Sequence, residues 1–171
     1  DDLRMFLERV GTDMENIGTE IEKLVCYIGD REVVTREDIL TVTTEQISGK
    51  IFAMTDALGA KNKKLALELY HDLLSVREKP MTVLYLMVRQ CNMILQAAEM
   101  SRQGLDRSAI ASKAGMPPFA VGKCLSQAKN FTKQQLLHLI TYGTELEEQI
   151  KTGRIDERIA VELFLLTAVG A

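Results

Sequence analysis

The sequence predicts an all-α protein, built as a small three-helix bundle followed by a larger helical domain. Three observations support this prediction. Apolar residues make up 46% of the 171 positions and recur at the three- and four-residue spacing of amphipathic helices. Only three prolines occur, and each can sit in the first turn of a helix, where its missing N–H does no harm. The one short β-branched run, at residues 32–35, is too brief to build a sheet.

Two helices are predicted at the N-terminus. The first covers residues 2–10 and stops at Gly11, and the second starts near Asp13 and stops at Gly29, since glycine readily takes the left-handed conformation that ends a helix. Charged residues, Glu20 among them, are expected mostly on the outer face of the second helix. Its predicted inner row consists of Met14, Ile17, Ile21, Leu24, Val25 and Ile28.

The third helix of the bundle is short. Thr35 can cap it through its side-chain hydroxyl, while Val34 packs onto Ile39 as a hydrophobic staple. This helix is expected to end near Val42, where a polar joint at residues 43–46 follows.

The polar joint divides the predicted chain into two parts. We place the small bundle at residues 1–45 and the larger domain at residues 46–171. Neither part contains a fixed-period repeat or a low-complexity tract.

The larger domain begins with three helices. Gly59 is expected to end the first, Asn62 caps the second, and the longest runs from Pro80 to about Gln103 before Gly104 ends it. Their predicted inner residues are Ile51, Met54, Thr55 and Leu58; then Leu65, Ala66, Leu69, Tyr70 and Leu73; then Leu84, Met87, Val88, Cys91, Ile94, Leu95 and Ala98.

Two short helices follow, at residues 106–114 and after the turn at residues 115–117. They have the spacing of a helix-turn-helix, with alanine between the helices and glycine in the turn; the residues concerned are Ile110, Ala111, Gly115, Val121 and Leu125. A DNA reader would present its second helix to base edges. Here that helix offers mostly groups with nothing to donate to a base: Pro117, Pro118, Ala120, Gly122 and Lys123. A structural corner is therefore the favoured interpretation, and a helix-turn-helix DNA-binding regulator is the alternative function.

The last two helices carry clear start signals. Thr132 and Gln135 fit a capping box, and the helix that they open is expected to stop at Gly153. Asp156 caps the final helix, which is apolar nearly all round over residues 159–169. Such a helix is expected to be buried, either in its own core or against a neighbouring subunit.

Charge and cysteine usage restrict the class of protein. The 21 basic and 24 acidic residues give a formal net charge of −3, which is ordinary for a soluble cytoplasmic protein and argues against a dedicated nucleic-acid binder. No stretch is long enough to span a membrane, and the N-terminus does not resemble a signal peptide. The chain begins with Asp rather than Met, so we expect it to be a segment of a longer protein. Three widely spaced cysteines, Cys26, Cys91 and Cys124, are interpreted as reduced, buried thiols rather than a disulfide or a metal site.

A search for catalytic groups finds none. No glycine-rich phosphate loop and no nucleophile elbow occur. His71 and His138 lack partners at metal-ligand spacing. Acidic neighbours such as residues 37–38 and 147–148 do not face each other on a helix, so they are interpreted as solvated. We therefore expect no catalytic residue, no cofactor and no metal.

Several motifs, taken in order, resemble one family. The N-terminal motifs are LERVGTD at 7–13, EIEKL at 20–24 and VTREDI at 34–39, and the later ones are IFAMTDAL at 51–58, MPPFAV at 116–121, QAKNF at 127–131 and IKTGRID at 150–156. Together they are similar to the helical lid and the C-terminal collar domain of the delta subunit of bacterial DNA polymerase III clamp loaders. By this resemblance Gly11, Gly115 and Gly153 are helix stops, and Phe119 and Phe131 are core residues.

The resemblance implies a function in DNA replication. The segment would be a non-catalytic assembly part of a subunit that helps to load the sliding clamp onto primed DNA. Its C-terminal domain would bind the other loader subunits. The clamp would be bound by an N-terminal domain that this chain lacks, and DNA would be bound by the assembled complex. The resemblance implies no membrane partner.

Overall fold

The computed structural model describes residues 2–11, 14–43 and 47–170, apart from a few side chains. Within those ranges it contains ten α-helices, one short 3-10 helix and no strand, which confirms the predicted all-α class. In the described part of the chain, no helix is both long enough and apolar enough to cross a lipid bilayer. The chain separates into two compact units, residues 1–50 and 51–171. The predicted boundary between residues 45 and 46 lies outside the described residues.

The first unit contains three complete helices. They are α1 (Asp2–Val10), α2 (Met14–Ile28) and α3 (Arg36–Val42), and α4 (Ile47–Gly59) begins at its end. The three predicted helices are therefore present, although the predicted start of the second, Asp13, lies outside the described residues.

A small apolar core holds the first unit together. Phe6 and Val10 of α1, Leu24 of α2 and Ile39 of α3 are buried together, and Val34 packs against them as predicted. The Thr35 hydroxyl caps α3 by accepting from the backbone N–H of Asp38, and the Asp38 carboxylate accepts in turn from the backbone N–H of Thr35.

Asp38 also corrects a prediction. This carboxylate was expected on a solvated face, but it is buried and receives hydrogen bonds of 2.8 Å and 3.2 Å from Arg31. The Arg31 bonds, followed by those from Thr35, hold the pKa of Asp38 at about 2.

The predicted inner row of α2 is partly wrong. Met14, Ile21 and Val25 are 78%, 46% and 57% exposed, whereas Leu24 and Glu20 are buried. Leu24 and Glu20 are four residues apart and therefore lie in one row of the helix. The three exposed residues form a second row, about a quarter turn away. Periodicity showed that α2 has a broad apolar arc but not which part of that arc α1 and α3 cover.

The second unit consists mainly of seven α-helices, the longest of which lies at the centre. They are α4, continuing to Gly59, then α5 (Lys63–Ser75), α6 (Pro80–Arg102), α7 (Arg107–Ala114), α8 (Pro118–Gln127), α9 (Lys133–Lys151) and α10 (Glu157–Gly170). The 3-10 turn at Ala128–Asn130 joins α8 to α9. All of these helices agree with the predicted order, and the capping box of α9 forms as predicted between Thr132 and Gln135.

Helix α6 is the centre of the second unit. It packs against α7, α8, α9 and α10, while α5 packs against α10. Leu84, Met87, Cys91 and Ile94 of its predicted inner row are fully buried. Gly143 of α9 permits a close approach, because a Cβ there would overlap Val88 Cγ2 of α6.

Helix α4 ends at Gly59 as predicted, but Gly59 does not take the left-handed conformation; the positive φ of 56° belongs to Lys61 instead. Gly59 is a packing residue, because a Cβ on it would lie 2.8 Å from the Cβ of Asn130. Leu65, predicted to point inward, is 41% exposed.

The glycines and phenylalanines named by the resemblance also have defined environments. Gly11, Gly115 and Gly153 have φ angles of 81°, 62° and 71°, as expected of helix stops. Phe119 and Phe131 are half-buried, so they contribute to the edge of the core and not to its centre.

Candidate assembly surface

The last helix, α10, has two different faces. One face is buried against α5, α6 and α9; it consists of Ala160, Val161, Phe164, Leu165 and Ala168. Asp156 fixes the start of the helix, because its carboxylate accepts from the backbone N–H groups of Arg158 at 2.9 Å and Ile159 at 3.3 Å. The helix is therefore anchored along one side and at its first turn.

The other face of α10 is apolar and open to solvent. Ile159, Leu163 and Leu166 are 53%, 39% and 42% exposed, and their spacing of four and three residues places them in one row. We call these three residues the α10 stripe. The helix was expected to be buried in its own core or against a neighbour. In the structure one face of the helix is buried in the core, and a row of large apolar side chains on the other face remains exposed. A row of this kind on a rigid helix is suited to packing against another helix.

A buried polar network joins three helices of the same unit. Gln127 of α8 donates to the Asp56 carboxylate at 2.8 Å and to the Phe52 carbonyl at 3.0 Å, both on α4. Gln90 of α6 donates to the Gln127 carbonyl oxygen at 2.7 Å and lies 3.6 Å from Cys124 Sγ. Both glutamines are buried and the Gln127 amide uses both of its hydrogens. The sequence search missed this network, because a single glutamine on each helix gives no motif. It therefore fixes how the three helices pack.

The two histidines do not form a site. His71 is exposed, and its Nε2 lies 3.8 Å from a carboxylate oxygen of Glu162. His138 is exposed and stacks on Tyr142, with ring centroids 6.1 Å apart. Among the described residues, no group of three or more histidine, cysteine or acidic side chains could hold a metal ion.

The three cysteines have different environments. Cys91 and Cys124 are buried as predicted, and burial raises the pKa of Cys91 to about 12 and that of Cys124 to about 11. Cys26 is exposed, so the prediction was wrong for this residue. It lies in an apolar segment of α2, but on the side that α1 and α3 leave open.

The helix-turn-helix candidate is a packed corner. Gly115 ends α7 in the left-handed conformation and α8 follows, as the spacing predicted. Along α8, however, only Pro118 and Ser126 are exposed, and Ala120 and Val121 are buried. This helix packs against α6 and α7, as expected of a structural corner.

The comparisons with known proteins agree with one another. Residues 48–168 match the family model described as DNA polymerase III delta subunit, C-terminal domain. The chain is 31% identical over 157 residues to DNA polymerase III subunit delta of Bacillus subtilis, an alignment that covers 92% of this chain and 45% of that protein. Its fold matches a solved structure of the Bacillus subtilis DNA clamp loader delta protein with a TM-score of 0.92 and 28% identity, covering 99% of this chain and 50% of that one.

The chain thus spans about half the length of the relatives that it matches. The similarities give no support to the helix-turn-helix regulator. They confirm the resemblance inferred from the ordered motifs. Since the family model covers well over half of the residues, this chain belongs to the DNA polymerase III delta-subunit family.

Proposed function

We propose that this chain is the assembly part of a clamp-loader delta subunit, which acts in the cytoplasm to help load the sliding clamp onto primed DNA. The family assignment and the 0.92 TM-score to a clamp loader delta protein support this function. In this proposal the chain itself is not an enzyme. The clamp is bound by a part of the subunit outside this chain, and DNA is bound by the assembled loader.

The two units take different roles in the proposal. Residues 1–50 correspond to the helical lid, and residues 51–171 to the collar domain that binds the other loader subunits. The family match supports this division, since it begins at residue 48, close to the boundary between the two compact units.

The α10 stripe is the observation that carries the assembly role. Three large apolar side chains lie exposed in one row on a helix that the core holds rigid. Removing such a row from water against another subunit would contribute favourable free energy at about 25 cal/mol per Å² of apolar surface buried. Because the helix is already ordered, little conformational entropy would be lost on binding.

Size-exclusion chromatography with the purified remaining loader subunits tests this proposal. The chain should co-elute with them. A double variant of the stripe, Leu163→Gln with Leu166→Gln, should weaken the association at least about tenfold, equivalent to roughly 1.4 kcal/mol.

A matched control is Leu40→Gln with Leu137→Gln, because these leucines are 49% and 45% exposed but lie outside the stripe. The control should associate like the unmodified chain. Failure of the unmodified chain to co-elute would refute the assembly role. Equal association of the two double variants would show that another surface makes the contact.

A further inference from the structure

One acidic side chain borders the α10 stripe. The three stripe residues have the spacing of positions d, a and d of a coiled-coil heptad. In that frame Glu162 occupies position g, next to Leu163 in the chain and one turn from the other two stripe residues. The other flanking positions whose side chains the structure describes hold Ala160 and Thr167. Among these side chains, Glu162 thus supplies the charge at the edge of the stripe.

Within the described part of the chain, the Glu162 carboxylate is only weakly paired. Its ion-pair partner is His71 of α5, whose Nε2 lies 3.8 Å from Oε1 of Glu162. This distance is too long for a hydrogen bond, and a histidine is a cation only while it is protonated. The two side chains are 45% and 60% exposed, so solvent weakens the attraction further. Most of the charge of Glu162 is therefore available to a partner.

The stability of α10 does not explain an acid at this position. Asp156 and Glu157, at the start of the helix, complement the partial positive charge of its N-terminus. That effect fades beyond the first turn, and Glu162 is the sixth residue of α10. Charged residues beside an apolar row set the choice of partner and its orientation in coiled coils. Glu162 has the position that this role requires.

The environment of Tyr70 shows the sign of the charge where α5 meets α10. Tyr70 is fully buried, and its hydroxyl makes no hydrogen bond within the described part of the chain. Burial, followed by the charge of Glu162, raises the pKa of Tyr70 to about 12, and Arg158 offsets only part of this effect. Residues 156–162, DERIAVE, carry three acids and one arginine, a net charge of −2. This edge of the surface is therefore negative.

We infer that Glu162 selects the partner of the α10 stripe by pairing with a lysine or arginine beside an apolar row on a helix of a neighbouring loader subunit. The inference rests on the proposed function and adds the chemistry of the partner helix. Packing that helix on the stripe removes water from its edge, which strengthens the attraction between Glu162 and the cation. A second copy of this chain fits less well, because two stripes packed about a two-fold axis would bring two negative surfaces together.

Biolayer interferometry with the purified remaining loader subunits tests the inference at low and at high salt. Glu162→Gln should weaken the association at least about threefold, and Glu162→Lys at least about tenfold, because the reversed charge adds repulsion. Added salt should weaken the association of the unmodified chain and should affect Glu162→Gln less, since the variant has no charge there to screen. Circular dichroism should show both variants folded like the unmodified chain.

The matched controls are Glu145→Gln and Glu145→Lys, because Glu145 is an exposed acid on a different helix, α9. They change the net charge by the same amounts and should associate like the unmodified chain. Equal effects of the corresponding changes at the two positions would overturn the inference. Tighter association of Glu162→Lys would do the same, because the partner would then present an acid.

Two designed helical peptides test the sign of the partner's charge directly. Both carry leucine at positions a and d, and they carry either lysine or glutamate at positions e and g. The unmodified chain and Glu145→Lys should bind the lysine peptide at least about tenfold more tightly than the glutamate peptide. Glu162→Lys should lose most of this preference. A preference that survives Glu162→Lys would contradict the role of Glu162.

The proposed function and this inference fail in different ways. If the unmodified chain does not associate with the loader subunits, the assembly role is refuted and the inference falls with it. If the stripe double variant weakens the association but the Glu162 variants do not, the inference alone is refuted. A dimer of the chain by itself that dissociates in the stripe double variant would identify a second copy as the partner, and this would also overturn the inference.

Discussion

Replacing Gly143 with alanine adds a methyl group where α9 packs against α6 and α10. In a helix interior, alanine is favoured over glycine by about 0.5–1 kcal/mol, because the unfolded chain loses less entropy. Here the added Cβ would overlap Val88 Cγ2 and lie 3.2 Å from Phe164 Cε2. Valine in a helix has essentially one side-chain rotamer, and Phe164 is fully buried. Neither neighbour can rotate away, so the helices must separate.

Overpacking of this kind costs about 1–3 kcal/mol, more than the helix propensity returns. We expect Gly143→Ala to lower the free energy of unfolding by roughly 1–2 kcal/mol. Gly122→Ala is the matched control, because a Cβ on that helical glycine meets nothing within 4 Å. The control should stabilise the protein by about 0.5–1 kcal/mol.

Urea unfolding followed by circular dichroism measures both changes as shifts of the midpoint. Adding Val88→Ala to Gly143→Ala removes the overlapping methyl group, so the double variant should be more stable than the sum of the two single changes predicts. A Gly143→Ala protein as stable as the unmodified chain would refute the packing argument. Simple additivity in the double variant would show that Val88 is not the obstacle.

Two further predictions concern titration and thiol reactivity. Because the pKa of Asp38 is about 2 in the folded chain and near 3.8 without its partners, its stabilising contribution is complete above about pH 4 and is lost as the pH falls toward 2. The urea midpoint of the first unit should fall over this range. In the Asp38→Asn variant the midpoint should be lower already at pH 7 and should no longer fall between pH 4 and pH 2 for this reason. A variant whose midpoint falls with acid as in the unmodified chain would contradict the role of Asp38. Iodoacetamide at pH 8 should modify only Cys26 among the three cysteines of the folded chain, and all three in urea, as counted by mass spectrometry. Equally fast labelling of Cys91 would mean that the core around it opens.

Signals that act over three or four residues were sufficient to locate the helices. The Thr132–Gln135 capping box, the Asp156 cap and the Gly115 stop each depend on groups within one helical turn. The sequence therefore predicts them without knowledge of the fold. The ordered motifs led to the family for a similar reason, since their spacing along the chain is itself a sequence property.

The sequence by itself thus determined the all-α class, the order of the helices and most of their ends. Only the tertiary structure decided which apolar rows are covered. Periodicity gives a helix an apolar arc, but whether Val25 of α2 or Leu163 of α10 is buried depends on the helices that pack beside it. Contacts between distant segments are equally hidden: Gln127 and Asp56 are 71 residues apart in the chain, and Gly59 packs on the equally distant Asn130. Each of these surfaces is made by packing, and packing is not encoded within any single helix.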